Sequence, residues 1–407
     1  MYLISKEDRS LKGEINISGS KSESNRLLII RAYTSFFKII NLSDSDDTNT
    51  LISALESNDE KINIGHAGTA MRFLTSYFSS TQNSSKILTG SERMKERPIS
   101  ILVDALNSIG ADIEYIDKVG YPPIRLKGKL ISNYTVSLPA NVSSQYLSSL
   151  MMLGISLSEG LIINLSTKIT SLPYIKMTKE LIERVGGKIF IQPDKIIVEP
   201  ILENKISDQT VESDWSSASY FYSLVALSDF SEITISSFFK KSIQGDSRIV
   251  ELYKQFGVET KFRDNKIYLK KNKIVLPDSI SINLENNPDL AQTIVVTCLG
   301  LGVDCDLQGL HTLKIKETDR LLALKKEIEK FDVDRVDVSD QSITLKNNSD
   351  LKIGVSIDTY NDHRMALSFA PLSLINPIII NNPEVVSKSY SNFWNDLKLL
   401  GFNISKK

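Results

Sequence analysis

One phrase recurs along this chain: a helical run of apolar residues, a glycine, then a short segment alternating apolar and polar side chains. It occurs as LVDALNSIGADIEYI around Gly110, LIERVGGKIFI around Gly186, LYKQFGVETKF around Gly257, EIEKFDVDRVDV around Asp332 and DLKLLGFNIS around Gly401. The centres are spaced by 76, 71, 75 and 69 residues. The glycine has a physical reason. A helix that ends on a left-handed residue favours one without Cβ, and the alternation that follows launches a half-buried strand. Helix-glycine-strand is common in any α/β protein, but a regular period points to a repeated supersecondary unit. A fainter sixth copy lies at residues 51–64, LISALESNDEKINI. Six units of about 70 residues account for 407 residues and suggest two lobes of three. A new helical pattern, SDWSSASYFYSLVAL, opens at Ser213 and Asp214 and marks the boundary. The expected lobes are residues 19–213 and residues 1–18 plus 214–407.

Several segments place small, hydroxyl-bearing or cationic residues where an apolar helix begins. Gly19-Ser20-Lys21-Ser22-Glu23-Ser24-Asn25-Arg26 precedes LLIIRAY. Free backbone N–H groups, a hydroxyl and two cations there suit an anion; they are equally the parts of an ordinary capped helix. The P-loop pattern fails, because Ser20 separates glycine from lysine. Gly65-His66-Ala67-Gly68-Thr69-Ala70-Met71-Arg72 opens another helix, and Arg93-Met94-Lys95-Glu96-Arg97-Pro98 packs three cations into five residues. Ser143 and Ser144 with Gln145, and Ser171 with Tyr174, begin two more helices, as N-caps or as a phosphate cradle.

Carboxylates come later. Asp289 lies in Asn287-Pro288-Asp289, ahead of an apolar helix. Lys316-Glu317-Thr318-Asp319-Arg320 reads as the start of LLALKKEIEKF, with Lys316 and Arg320 four apart on one helical face. Asn361-Asp362-His363-Arg364 opens MALSFAPLSLI, and Lys388 follows. Lys21, Arg26, Arg72, Arg97, Arg320, Arg364 and Lys388 thus lie close to helix starts spread over the whole chain. If those starts converge, they form one polyanion site.

This string of segments resembles the 5-enolpyruvylshikimate-3-phosphate synthase family. The phrases that carry the likeness are GSKSESNR, AGTAMR, RMKERP, SSQYL, SDWSSASYF, KETDR and YNDHRMA, in the family's order from Gly19 to Lys388. The resemblance implies an α/β fold of two similar lobes joined by a hinge, each of three βαβαββ-type repeats (an inside-out α/β barrel), closing around the substrates. It implies transfer of enolpyruvyl from phosphoenolpyruvate to shikimate 3-phosphate, with release of phosphate. Matched motif by motif, Lys21, Ser22 and Arg26 resemble binders of the shikimate ring, and Ser143, Ser144, Ser171 and Tyr174 the cradle of its phosphate. Gln145 resembles a glutamine under the ring that also meets phosphoenolpyruvate, and Lys316 a further shikimate 3-phosphate contact. Lys21, Gly68, Arg97, Arg320, Arg364 and Lys388 resemble the phosphoenolpyruvate clamp. Asp289 resembles the base for the attacking hydroxyl and a shikimate 3-phosphate ligand, Glu317 the second catalytic carboxylate, and Lys21 a further catalytic group. The chain departs from the family at His66, where many relatives carry asparagine, and at Thr312, where many carry asparagine near the substrate.

The chemistry suits these residue types. The acceptor hydroxyl must lose a proton while the methylene carbon of phosphoenolpyruvate gains one, which calls for paired acid and base groups. Two substrates carrying phosphate and carboxylate bring about five to six negative charges, which fixed guanidinium and ammonium groups must hold. No metal or organic cofactor is required.

Composition removes other classes. A net charge of −1, from 48 Lys+Arg against 49 Asp+Glu, argues against a nucleic-acid binder. Two cysteines and three scattered histidines do not make a zinc site. The longest apolar stretch, residues 290–303, is too short for a membrane span and holds Gln292, and MYLISKEDRSLKG has no signal-peptide core. The chain reads as a cytoplasmic protein of small-molecule substrates, with no nucleic-acid or membrane partner, and the resemblance implies a monomer. Two other readings stand beside this one. The sister enolpyruvyl transferase acting on a UDP-amino sugar carries a reactive cysteine in its amino-terminal half, whereas Cys298 and Cys305 both fall in the other half. A non-catalytic repeat scaffold would release no phosphate from phosphoenolpyruvate.

Overall fold

The computed structural model describes residues 1–35, 37–202, 207–348 and 351–407. The chain divides into two compact units: Met1–Gly19 with Glu212–Lys407, and Ser20–Val211.

Among the described residues, five four-stranded sheets repeat one topology: a parallel pair bridged by a helix, then an antiparallel hairpin added to the second strand. In the unit Ser20–Val211, strand Lys61–Asn63 runs parallel to Ser85–Thr89 across helix Gly68–Ser80, and the hairpin Asp112–Tyr115/Ile124–Lys127 completes the sheet. Thr135–Leu138 pairs likewise with Leu161–Leu165 across helix Ser144–Gly154, with hairpin Ile189–Ile191/Lys195–Val198. The third sheet of this unit is cut down to the parallel pair Ile39–Ile40 and Gln209–Thr210.

The other unit holds three complete copies. Ser10–Asn16 pairs in parallel with Phe230–Ser236, Ser279–Asn283 with Asp304–Gln308, and Ser356–Ile357 with Ile378–Ile380. In the last sheet the outer hairpin strand is Asn403–Lys406 and the inner one is Tyr2–Ser5, so the first residues of the chain finish a repeat begun by the last.

The glycines of the repeat do what the sequence asks of them. Gly110, Gly186, Gly257 and Gly401 have φ of 108°, 93°, 80° and 86°, and Asp332, which replaces glycine in the fourth copy, sits at φ 58°. The faint copy at residues 51–64 lacks this device. Its helix Asp46–Glu56 ends on Ser57 at φ −75°, and strand Lys61–Asn63 follows after a short loop.

Helices lie inside each unit and sheets outside. Every residue of helix Trp215–Leu227 except Ser216 is buried, whereas strand Phe230–Ser236 alternates, with its even-numbered side chains outward. Small hydroxyl residues let the central helices approach closely. Ser219 bonds Thr293 at 3.1 Å, Thr297 donates to Ser223 at 2.8 Å, and in the other unit Ser149 donates to Ser76 at 2.6 Å. The core helices are thereby held side by side, with their amino ends available for a site.

Candidate functional site

In the unit Ser20–Val211, the amino-terminal halves of four helices meet: Lys21–Tyr33, Gly68–Ser80, Ser144–Gly154 and Leu172–Arg184. Arg26 is the knot. It is 2% exposed; its Nε donates to Thr178 Oγ1 at 2.7 Å, Nη2 to Ser148 Oγ at 3.1 Å and Nη1 to the Ser22 carbonyl at 2.9 Å. Its guanidinium lies 5.4 Å from the Phe73 ring centre and 5.8 Å from that of Tyr174. Burial outweighs the pull of Tyr174 and Glu23 and lowers its pKa to about 10, so it remains a cation at neutral pH. Gln145 Nε2 donates to Thr69 Oγ1 at 3.1 Å, tying two more helix starts. Helix amino ends carry a partial positive charge, so the surroundings of Arg26 and Gln145 suit an anion.

The hydroxyls expected there are present. Ser143 caps Ser144–Gly154 through the Gln145 N–H at 3.3 Å, and Ser144 is the first helical residue. Ser171 stands at the N-cap of Leu172–Arg184 with φ 54° and makes no side-chain cap bond. A serine in this conformation is strained, and such strain collects where a side chain must be aimed. Lys21 Nζ pairs with Asp47 at 3.1 Å.

Gly68 opens its helix against Arg97. A Cβ there would come within 2.8 Å of Arg97 Cζ, and Arg97 Nε is buried with no hydrogen-bond partner among the described residues. Arg72, which the sequence groups with the anion-binding cations, donates instead to the carbonyls of Gly68 and Pro98 at 3.3 and 3.0 Å, bracing the loop that carries Arg97. His66 Nδ1 bonds Ser91 Oγ at 3.0 Å, the hydroxyl that caps the short helix Glu92–Lys95.

The other unit gathers the carboxylates. Arg320, 2% exposed, bonds three of them: Asp362 through Nε at 2.6 Å and Nη2 at 3.3 Å, Asp289 through Nη1 at 2.9 Å and Glu317 through Nη2 at 2.8 Å. Of its five N–H donors this leaves one, on Nη1, without an acceptor among the described residues. Asp289 also faces Arg364 Nη2 at 3.1 Å and Lys316 Nζ at 3.8 Å, and Glu317 faces Lys388 Nζ at 2.9 Å. Burial pushes the Asp289 carboxyl up, but Arg364, Lys316 and Arg320 together overcome burial and the opposing Glu317, holding it well below the usual carboxylate range. Burial alone would lower Arg320, and its three carboxylates raise it instead. Arg364 completes the set, donating to Tyr220 Oη and to the Asp289 carbonyl at 3.4 Å each, and to Ser216 Oγ at 3.3 Å.

One local expectation needs correction. Lys316 and Glu317 are not on a helix with Arg320. The helix is Arg320–Glu329, capped by Asp319, and Lys316 is extended after the turn His311–Ile315. Lys316 and Arg320 converge because both reach Asp289, not because four residues make a helical turn. Asp289 sits in the turn Pro288–Leu290 that leads into Ala291–Leu301. Thr312 Oγ1 is buried with no hydrogen-bond partner among the described residues. Sequence reasoning passed over Asp362, Thr178, Ser148, Ser216 and Asp246. Asp362 and Ser216 lie within quoted motifs, and a chemistry-bearing residue inside a motif was the available signal. The others had none.

Solved structures share this architecture along its length. EPSP synthase from Acinetobacter baumannii matches with a TM-score of 0.75 at 18% identity, covering 100% of this chain and 99% of that one. The enolpyruvyl transferase NikO from Streptomyces tendae matches with a TM-score of 0.73 at 14% identity, covering 99% and 98%. The fold is that of the enolpyruvyl transferases. Sequence narrows the class: a 3-phosphoshikimate 1-carboxyvinyltransferase of Bacteroides fragilis (strain YCH46) is 44% identical over 406 residues, covering 99% of this chain and 98% of its own. One of Aliivibrio fischeri (strain ATCC 700601 / ES114) is 33% identical over 420 residues, covering 96% and 97%. The chain belongs to the EPSP synthase (3-phosphoshikimate 1-carboxyvinyltransferase) family, whose model matches residues 51–397.

Proposed function

We propose that this chain carries out the reaction its family is named for, moving the enolpyruvyl group of phosphoenolpyruvate onto the 5-hydroxyl of shikimate 3-phosphate and releasing phosphate. The observation that carries the reading is the Asp289–Arg320–Glu317 cluster: two carboxylates of different surroundings on one buried guanidinium, beside Arg364, Lys316 and Lys388.

Shikimate 3-phosphate binds the unit Ser20–Val211. Ser143, Ser144 and Ser171 hold its phosphate with Tyr174 beside them, and Lys316 of the other unit is a further ligand. Lys21, Ser22 and Arg26 hold the ring substituents, and Gln145 lies under the ring. Arg26 supports this assignment because its hydrogen-bond partners are neutral oxygens. To phosphoenolpyruvate are assigned Gly68, Arg97, Gln145 and Lys21 in the one unit and Arg320, Arg364 and Lys388 in the other.

Asp289 accepts the proton of the attacking hydroxyl as the oxygen bonds to C2 of phosphoenolpyruvate, while C3 takes a proton from the set formed by Glu317 and Lys21. The tetrahedral adduct then loses phosphate from C2 while C3 returns a proton to the group that supplied it, restoring the double bond. A carboxylate held as low as Asp289 is a weak base. Anionic substrates engaging Arg364 and Lys316 divert the charges that hold it down, and its basicity rises as they bind.

A monomer in the cytoplasm completes the proposal; no helix of the described residues is long and apolar enough to cross a membrane. The UDP-amino-sugar reading has no support at the thiols, since Cys298 and Cys305 are both buried. The test is phosphate release from phosphoenolpyruvate with shikimate 3-phosphate or UDP-N-acetylglucosamine as acceptor. Release only with shikimate 3-phosphate is expected, and release only with the nucleotide sugar would refute the reading.

A further inference from the structure

Asp246 belongs to no motif singled out above, yet it lies behind the carboxylate cluster. It sits on the turn Gly245–Arg248, is 5% exposed, and takes the Ser216 hydroxyl proton at Oδ2 over 2.5 Å. Ser216 Oγ in turn accepts from Arg364 Nη2 at 3.3 Å, and that same nitrogen faces Asp289 Oδ2 at 3.1 Å. A continuous path therefore runs Asp246–Ser216–Arg364–Asp289. With Asp246 ionised, the Ser216 proton is drawn to the carboxylate and the serine lone pairs are left for Arg364.

We propose that Asp246 is a positioning residue that aims the Arg364 guanidinium through Ser216, so that its charge state sets the enzyme's affinity for phosphoenolpyruvate. This rests on the assignment of Arg364 to that substrate.

The surroundings make this charge variable. Facing Asp246 are Asp214 and Ser216 at the start of helix Trp215–Leu227, Asp289 in the turn Pro288–Leu290, and Arg364 on helix His363–Phe369. Arg248, on its own turn, is directed to the Asn283 carbonyl at 2.9 Å. Burial and then Asp289 push the Asp246 carboxyl up to about 6, against Arg364 and the Ser216 hydrogen bond. Raised above its unfolded value, Asp246 loses its proton between about pH 5 and 7, where the path to Arg364 switches on. Both substrates' phosphates also titrate there, so the informative quantity is a ratio of two enzymes at each pH.

The experiment measures KM for phosphoenolpyruvate from pH 5.0 to 8.5 by phosphate release, in wild type, Asp246→Asn, Ser216→Ala and the double variant. At pH 8, Asp246→Asn is expected to raise KM about tenfold, the loss of one charge-assisted hydrogen bond. At pH 5 it is expected to converge on wild type within about twofold, because protonated Asp246 resembles asparagine. Ser216→Ala reproduces the rise at pH 8, and Asp246→Asn adds less than about twofold on top of it. A merely structural role would give a ratio that does not change with pH. That result, a fall in KM at pH 8 or additive single variants would each overturn the proposal. Arg364→Lys separates the two layers: if it leaves KM unchanged, the assignment of Arg364 is wrong. If it raises KM while the Asp246→Asn ratio stays flat, the assignment stands and the positioning role falls.

Discussion

Replacing Arg320 with methionine keeps the apolar stem and removes the guanidinium from among three carboxylates. Two of the three keep other cations: Asp289 retains Arg364 at 3.1 Å and Lys316 at 3.8 Å, and Glu317 retains Lys388 at 2.9 Å. Asp362 is worst placed. It is fully buried, and what remains is the Arg364 N–H at 2.9 Å and the His363 ring 3.6 Å away. Stranding one partner of a buried ion pair costs about 3–5 kcal/mol. For a unit of roughly 200 residues, 1 kcal/mol moves the melting temperature by about 2–4 °C, so a drop of about 6–20 °C is expected at pH 8. The pH dependence follows from proton uptake. In wild type the depressed Asp289 contributes stability that is present above the unfolded aspartate value, near 4, and lost as pH falls through its folded value. In the variant a stranded carboxylate prefers its proton, so the folded state binds more protons than the unfolded one and stability falls as pH rises. The gap between variant and wild type is therefore wider at pH 8 than at pH 5.5. Adding Asp362→Asn, which keeps the cap on the Arg364 N–H and removes the stranded charge, should recover more than half of the loss. Calorimetric scans at the two pH values decide the matter. A shift below about 3 °C, a gap independent of pH, or no recovery in the double variant would refute the assignment of Arg320 as the internal counterion.

Three further outcomes are expected. Asp289→Ala and Lys21→Ala should each lower kcat by about 10³-fold or more with far-UV circular dichroism unchanged; near-normal turnover in either removes that residue from the mechanism. Gly68→Ala drives a methyl into Arg97 and should raise KM for phosphoenolpyruvate roughly 10–100-fold with melting temperature retained; unchanged steady-state kinetics would show that Arg97 need not hold its place. Thr178→Val removes the acceptor of Arg26 Nε at 2.7 Å, leaves a buried donor unpaired at a cost of about 1–3 kcal/mol, and should raise KM for shikimate 3-phosphate more than KM for phosphoenolpyruvate. Equal changes in both constants would place Arg26 elsewhere.

The repeat was legible because its signal is local. Helix end, left-handed residue and strand start fall within about fifteen residues, and even Asp332 adopts the glycine conformation. The helix starts were legible for the same reason, and motif likeness supplied the order in which to read them. What the sequence hid is tertiary. Thr178 and Ser148 meet Arg26 from 152 and 122 positions away, and Asp246 meets Ser216 from 30. The spacing of Lys316 and Arg320 misled because a four-residue interval fits a helical turn and an extended approach to one carboxylate equally well. Arg72 misled because charge near a helix start does not reveal whether its donors are directed at a ligand or at backbone carbonyls.

The two units apply one scaffold to opposite electrostatic ends. Each centres a buried arginine on the amino ends of core helices, yet burial brings Arg26 down to about 10, whereas three carboxylates raise Arg320 above its ordinary value. Arg26 bonds neutral oxygens, and Glu23 is the least of the influences on its pKa, so much of its charge is left for something outside the chain. Arg320 is compensated from within, and its work is to fix the places of Asp289 and Glu317. A ligand anion should therefore stabilise the unit Ser20–Val211 strongly and the other weakly. At about 100 times its dissociation constant, shikimate 3-phosphate alone should add roughly 2.7 kcal/mol, and the gain should vanish in Arg26→Met. Monitored by hydrogen exchange, protection confined to the amides that open the four helices of Ser20–Val211 is the expected pattern. Protection centred instead on residues 288–291 and 362–365 would show that the internally compensated cluster, not Arg26, captures the first anion.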